Sequence, residues 1–309
     1  MQKSENCKPI TNLKINMVGF TKKYFLLKYL KQVKMSAGRG RGFAMGATQE
    51  TELRRPREAG LKQRFGSSSA PNGQVSEPNK VSENPYAELC NKMGQINMST
   101  LEEELPVCAA QIKTLCDTTE KFEKCIDDIF QFALRSKWNA HAVAIFCNKH
   151  GDIQVEQLKF RNLVLRKLQQ QYKERVKSYL EKEKFLMDAT FSCEIFYHVL
   201  VGGVCLTKLA PPIIDYLGML VDGASEKEIE VFVEQFPKCY AHLKAHDPSG
   251  IDTLIGKMRK QIVSQSTPIP ARAMMLEIFE LILTDWKPVN ETAKHFYESL
   301  SKPIVRICR

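Results

Sequence analysis

Residues 157–177 read QLKFRNLVLRKLQQQYKERVK, a segment that crowds cations among the Phe, Leu and Val of a protein core. At 100° per residue, Leu165, Leu168, Tyr172, Val176 and Tyr179 share one face of a helix. Lys159, Arg166, Lys173 and Lys177 fall on a separate stripe that faces outward. The spacing predicts an amphipathic helix over about 153–180, with Asp152 at its start. Arg161 points into the apolar arc, where an unpaired charge is costly, so it is expected to be paired and structural. The stripe has two readings. It is an ordinary solvated face, or it is an electropositive ridge that meets RNA or an acidic protein.

Working outward, charge divides the chain. Its 309 residues carry a formal net charge of +10, but residues 1–94 hold 17 Lys/Arg against 7 Asp/Glu. Residues 95–309 hold 28 of each, so the body is balanced and whole-chain basicity says little about what it binds. Residues 1–34 read as a basic N-terminal extension, with Met35 resembling a second start. Residues 35–94 are rich in Gly, Ser, Pro and Arg and are expected to form a disordered tail. Within it GRGRGF (38–43) is a minimal Arg/Gly box, which makes Arg39 and Arg41 candidates for contact with single-stranded RNA. The helical domain is placed at 95–300, and 301–309 is a short tail.

Helical periodicity continues through the body. Helices are expected at 100–116, 118–136, 138–150, 153–180 and 183–201, then at 211–222, 225–246, 250–265, 271–286 and 291–300. Ser225 and Glu228 have capping-box spacing, Pro270 suits a first helical turn, and Pro237 predicts a kink or break. No segment alternates with period two, so no sheet is expected. Neighbouring helices form about five antiparallel pairs at the pitch of HEAT-type repeats, an all-α helical-repeat solenoid.

Little in the chain points to catalysis. No phosphate loop, dinucleotide fingerprint or nucleophile elbow is present, so no enzyme and no cofactor are expected. Cys239, His242 and His246 share helical spacing, but they lack a fourth ligand and an HExxH frame, and no metal is expected there. The ten cysteines include no CxxC pair, which fits buried thiols in a reducing compartment. No run reaches the ~18 apolar residues of a membrane span, and a cytoplasmic protein is expected.

Three stretches carry a family resemblance. Phe160-Arg161-x-x-Val164-Leu165 with Leu168-Gln169-x-x-Tyr172 is one, Phe191-x-x-Glu194-Ile195-Phe196 is the second, and Met275-Leu276-Glu277-Ile278 through Trp286 is the third. Together they resemble the middle domain of translation initiation factor four-gamma. That family includes the poly(A)-binding-protein-interacting proteins and the adaptor of the histone stem-loop-binding protein. The resemblance covers about 95–300 and implies core roles for Arg161, Phe191, Glu194, Phe279 and Trp286. Cys193 stands where the family usually has Gly, and Ile282 where many members have Arg.

What the resemblance implies is a non-catalytic adaptor in translational regulation. Its helical surface would dock a DEAD-box RNA helicase of the initiation machinery, poly(A)-binding protein or the histone stem-loop-binding protein. The alternative is direct RNA binding through Lys159, Arg166, Lys173 and Lys177 together with Arg39 and Arg41.

Overall fold

The computed structural model describes residues 85–97, 99–287 and 290–301. Arg39, Arg41, the N-terminal extension, most of the expected tail and residues 302–309 lie outside the described residues.

Twelve α-helices and two short hairpins make up the described chain. α1 (Pro85–Gln95), α2 (Leu101–Leu115), α3 (Thr119–Ala133) and α4 (Lys137–His150) come first. A hairpin of β1 (Gln154–Val155) and β2 (Leu158–Lys159) leads into α5 (Phe160–Lys173), α6 (Arg175–Ser178) and α7 (Lys182–His198). A second hairpin, β3 (Leu200–Val201) and β4 (Val204–Cys205), precedes α8 (Ala210–Gly223) and α9 (Glu226–His246). α10 (Pro248–Val263), α11 (Ile269–Leu283) and α12 (Glu291–Ser301) close the order. The fold is all-α, and its helices pack as antiparallel neighbours in the manner of HEAT-type repeats.

Local chemistry explains where the helices start. Thr118 and Ser136 accept from the backbone N–H groups of Lys121 and Asn139, satisfying donors that the first turn leaves open. Ser225 and Glu228 close a reciprocal capping box at α9. Proline occupies the first turns of α8, α10 and α11, where a missing N–H costs nothing.

The helices are held by apolar burial. Phe122, Phe146, Phe160, Phe191, Phe232 and Phe236 are fully enclosed, and each such side chain contributes about 1.5–3 kcal/mol. The eight described cysteines are free thiols and all are buried.

Five departures from the sequence reading have physical causes. α1 falls inside the segment assigned to the tail, because Tyr86, Leu89, Cys90 and Met93 are spaced to bury one face against α2 and α3. The chain does contain strands, but each has two residues, too few for an alternating pattern to register. The long helix expected at 153–180 is broken twice. Its beginning is the first hairpin, turned at Glu156 with φ of +51°, and its end bends at Glu174. α9 runs without interruption through Pro237, whose neighbours Phe236, Lys238 and Cys239 are buried, so packing overrides the lost hydrogen bond. The helix expected at 271–286 is α11 and stops at Leu283, leaving Trp286 in a turn with φ of +60°.

Candidate docking surface

The basic segment begins at the first hairpin. Lys159 is the last residue of β2 and precedes α5, with its ammonium 4.0 Å from Asp152. Arg161 lies in the first turn of α5 and donates to the same carboxylate at 2.7 Å, while its backbone N–H reaches Gly151 O at 2.9 Å. Gly151 is needed here by close approach. A Cβ on it would sit 2.2 Å from Cys147 O and 3.0 Å from Arg161 Cβ. Asp152 is therefore a charge partner for α5 and not its cap, since Lys159 occupies the cap position.

Farther along α5, the cations meet acids from α3. Arg166 is exposed and lies 3.4 Å from Glu123, and Lys167 pairs with Asp127. These pairs are solvent-facing and contribute little to stability, but they neutralise the first half of the stripe.

The second half differs. Lys173 and Lys177 are exposed, and no ion pair is found for either among the described residues. Between them the bend at Glu174 turns Val176 out of the apolar arc, to 67% exposure, and Leu180 follows at 83%. Arg175 lies 4.0 Å over the ring of Tyr172 and 3.4 Å from Asp215, and the Tyr172 hydroxyl donates to that same carboxylate. Burial and the Asp215 hydrogen bond push the Tyr172 phenol above its usual range, so it stays a donor.

This arrangement borders a groove of about 430 Å³ between α6, α8 and α10. Val176, Ile214, Met219 and Leu254 supply its apolar lining, and Arg175, Asp215 and Lys257 its charges. Lys257 leans across Gly218 to reach Asp222 at 2.5 Å, a path that a Cβ at 218 would crowd at 3.2 Å. An apolar groove flanked by exposed cations suits a protein segment with aliphatic anchors and acidic flanks.

No protein-family model matches the chain. It is similar to a CBP80/20-dependent translation initiation factor of Xenopus tropicalis, 25% identical over 234 residues, covering 72% of this chain and 39% of that protein. It is also similar to MIF4G domain-containing protein B of Danio rerio, 26% identical over 145 residues, covering 45% and 65%. A MIF4G domain-containing protein of Homo sapiens is 26% identical over 153 residues, covering 48% and 69%. The chain is a homologue of MIF4G-domain proteins. It spans 39% of the first of these relatives and 65% of the second.

In this MIF4G homologue the remaining singled-out residues lie away from the groove. Phe191 is enclosed and meets Phe130 edge-on at 5.3 Å. Phe279 is half-buried beneath the guanidinium of Arg259, 5.0 Å from its ring. Trp286 is half-buried against Tyr240 at 5.0 Å and Phe236 at 6.3 Å. Its indole Nε1 is buried without a hydrogen-bond partner among the described residues.

Glu194 of α7 is the centre of a buried polar cluster. Lys238 of α9 donates to its Oε1, while its Oε2 lies 3.0 Å from His141 Nδ1 and 3.3 Å from His198 Nε2. The two imidazole nitrogens are 3.2 Å apart. Burial pushes the Glu194 carboxyl up, but the Lys238 charge and the imidazoles outweigh it and hold the group well below its usual range. Burial lowers the pKa of His198 despite the adjacent carboxylate.

Cys239, His242 and His246 are not brought together. Cys239 Sγ donates to Cys193 O at 3.8 Å, His242 packs against Phe196, and His246 Nε2 lies 3.5 Å from Cys205 Sγ. Among the described residues, the group of potential metal ligands that does converge is His141, Glu194 and His198. The i,i+4 spacing of Glu194 and His198 was a visible signal for part of it. His141 and Lys238 come from other helices and had none.

No helix among the described residues is long and apolar enough to cross a membrane.

Proposed function

We propose that the chain is a non-catalytic adaptor of translational regulation, working in the cytoplasm. It docks a protein of the initiation machinery on the surface formed by Lys173, Val176, Lys177 and Leu180 and the adjoining groove. The observation that carries this reading is the exposure of Val176 and Leu180 next to Lys173 and Lys177, for which no ion pair is found among the described residues, with Val176 lining an apolar groove. The relatives support it, since one is by name a translation initiation factor. By resemblance, the partner is a DEAD-box initiation helicase, poly(A)-binding protein or the histone stem-loop-binding protein.

Direct RNA binding is the competing reading. Two of its proposed contacts, Lys159 and Arg166, already face Asp152 and Glu123, which favours the protein partner. The salt dependence of binding separates the two. Contact with Z phosphates of single-stranded RNA gives a slope near −0.7Z in log affinity against log salt. Docking on apolar anchors changes mainly in association rate. A slope of about −1 or shallower with a purified initiation protein supports the adaptor. Tight, steeply salt-dependent binding to RNA alone overturns it.

A further inference from the structure

The Glu194 cluster lies outside the docking surface, and its geometry invites a separate function. His141 Nδ1, Glu194 Oε2 and His198 Nε2 form a closed triangle with edges of 3.0, 3.3 and 3.2 Å. A tetrahedral zinc ion with bonds of about 2.0–2.1 Å separates neighbouring ligand atoms by about 3.3 Å. The three donors are therefore already spaced as three corners of a metal tetrahedron.

We propose that His141, Glu194 and His198 form a binding site for a divalent transition metal of the zinc class. Three features support it beyond distance. The donor set, two imidazoles and one carboxylate, is one that zinc accepts. Lys238 engages Oε1 of Glu194 and leaves Oε2 turned toward the imidazoles, as an outer-sphere hydrogen bond orients a ligating carboxylate. The His198 side chain is 20% exposed, against 2% for Glu194, so an ion and a completing water enter from the His198 side.

The triangle is crowded without an ion. Oε2 and the two imidazole nitrogens all lie within 3.0–3.3 Å of one another, so a proton between any pair is set by the ring tautomers and three polar atoms converge on one point. An ion takes the place of any proton on the two facing nitrogens, which moves to the other nitrogen of its ring or leaves to solvent. The positive charge is offset by Glu194, and Lys238 is faced in addition by Glu234, which pairs with Lys137 at 2.5 Å. The ion would tie α4 to α7, the helices that supply its ligands. Its role is structural, and it does not depend on the docking surface.

Cobalt(II) reports directly on such a site. Full-length protein is stripped with chelator and titrated with Co²⁺, followed by Zn²⁺. The expected result is one Co²⁺ per chain, with visible d–d bands of a four-coordinate nitrogen and oxygen ligand set, displaced by Zn²⁺. No thiolate-to-cobalt charge-transfer band should appear. His198→Gln should weaken binding by roughly 10–100-fold or more, while His246→Gln leaves it unchanged. Absence of saturable binding, a thiolate charge-transfer band, or equal affinity in His198→Gln would overturn the proposal. Should His198→Gln fail to fold, the spectrum and stoichiometry of the wild-type protein still decide.

Discussion

Lys238 of α9 donates to Glu194 of α7 across 44 residues of sequence, and both side chains are buried. Removing one partner leaves the other buried charge without its counter-ion, with the His141 and His198 imidazoles beside Glu194, or Gln235 and Glu234 near Lys238. Lys238→Met should therefore cost about 3–5 kcal/mol, and Glu194→Met a similar amount. The double variant Lys238→Met/Glu194→Met should be more stable than either single variant, because no buried ion remains unpaired. Urea unfolding of the four proteins checks this. A single-variant loss below about 1 kcal/mol would mean that water reaches the pair.

Asp188, buried on α7, accepts from the Ser178 hydroxyl at 2.5 Å. Burial raises its pKa, and neither Ser178 nor the nearby Lys184 cancels the effect, while Glu181 and Glu174 add to it. An acid whose folded-state pKa exceeds its unfolded value of about 3.9 binds more protons when folded within that window. Its contribution to stability thus falls as pH rises from the unfolded value through the folded one. Asp188→Asn should gain stability relative to wild type as the pH is raised from about 4 to 7. Parallel stability curves for the two proteins would show that the carboxyl is not held protonated.

Trp286 packs on Tyr240 and Phe236 but remains partly exposed. Truncating an enclosed Trp costs ~3–5 kcal/mol, and Trp286→Ala should fall lower, at about 2–3 kcal/mol. Its φ of +60° adds a second signature, since a left-handed conformation disfavours any residue with a Cβ by roughly 1–2 kcal/mol. Trp286→Gly should consequently be as stable as Trp286→Ala or more so, measured by thermal unfolding. A less stable Gly variant would remove the argument from backbone conformation.

The helices were legible because their apolar faces repeat every few residues, a pattern contained within each segment. The hairpins were not, because two-residue strands leave no pattern, and their formation depends on turns at Glu156 and Gly202-Gly203. That loss also distorted the basic stripe. A single phase carried from Lys159 to Lys177 assumes an unbroken helix, whereas the real chain starts α5 at Phe160 and bends at Glu174. Local angles also contain nothing about Glu123 and Asp127, acids of α3 that face Arg166 and Lys167. The same limit applies to Glu194. Its position on α7 was readable by resemblance, but His141 lies 53 residues before it and Lys238 44 after.

The proposed docking of an initiation protein where Lys173, Val176 and Lys177 border the groove can be tested on the protein itself. Its most direct test is capture from ribonuclease-treated cytosolic extract by the full chain and by the triple variant Lys173→Glu/Val176→Glu/Lys177→Glu. All three positions are exposed, so the variant should keep the wild-type helical signal and melting temperature. An initiation helicase or messenger-binding protein should be recovered by the wild type and lost by the variant. Recovery of the same protein by both would place the docking surface elsewhere, and loss of every partner on ribonuclease treatment would make RNA the ligand.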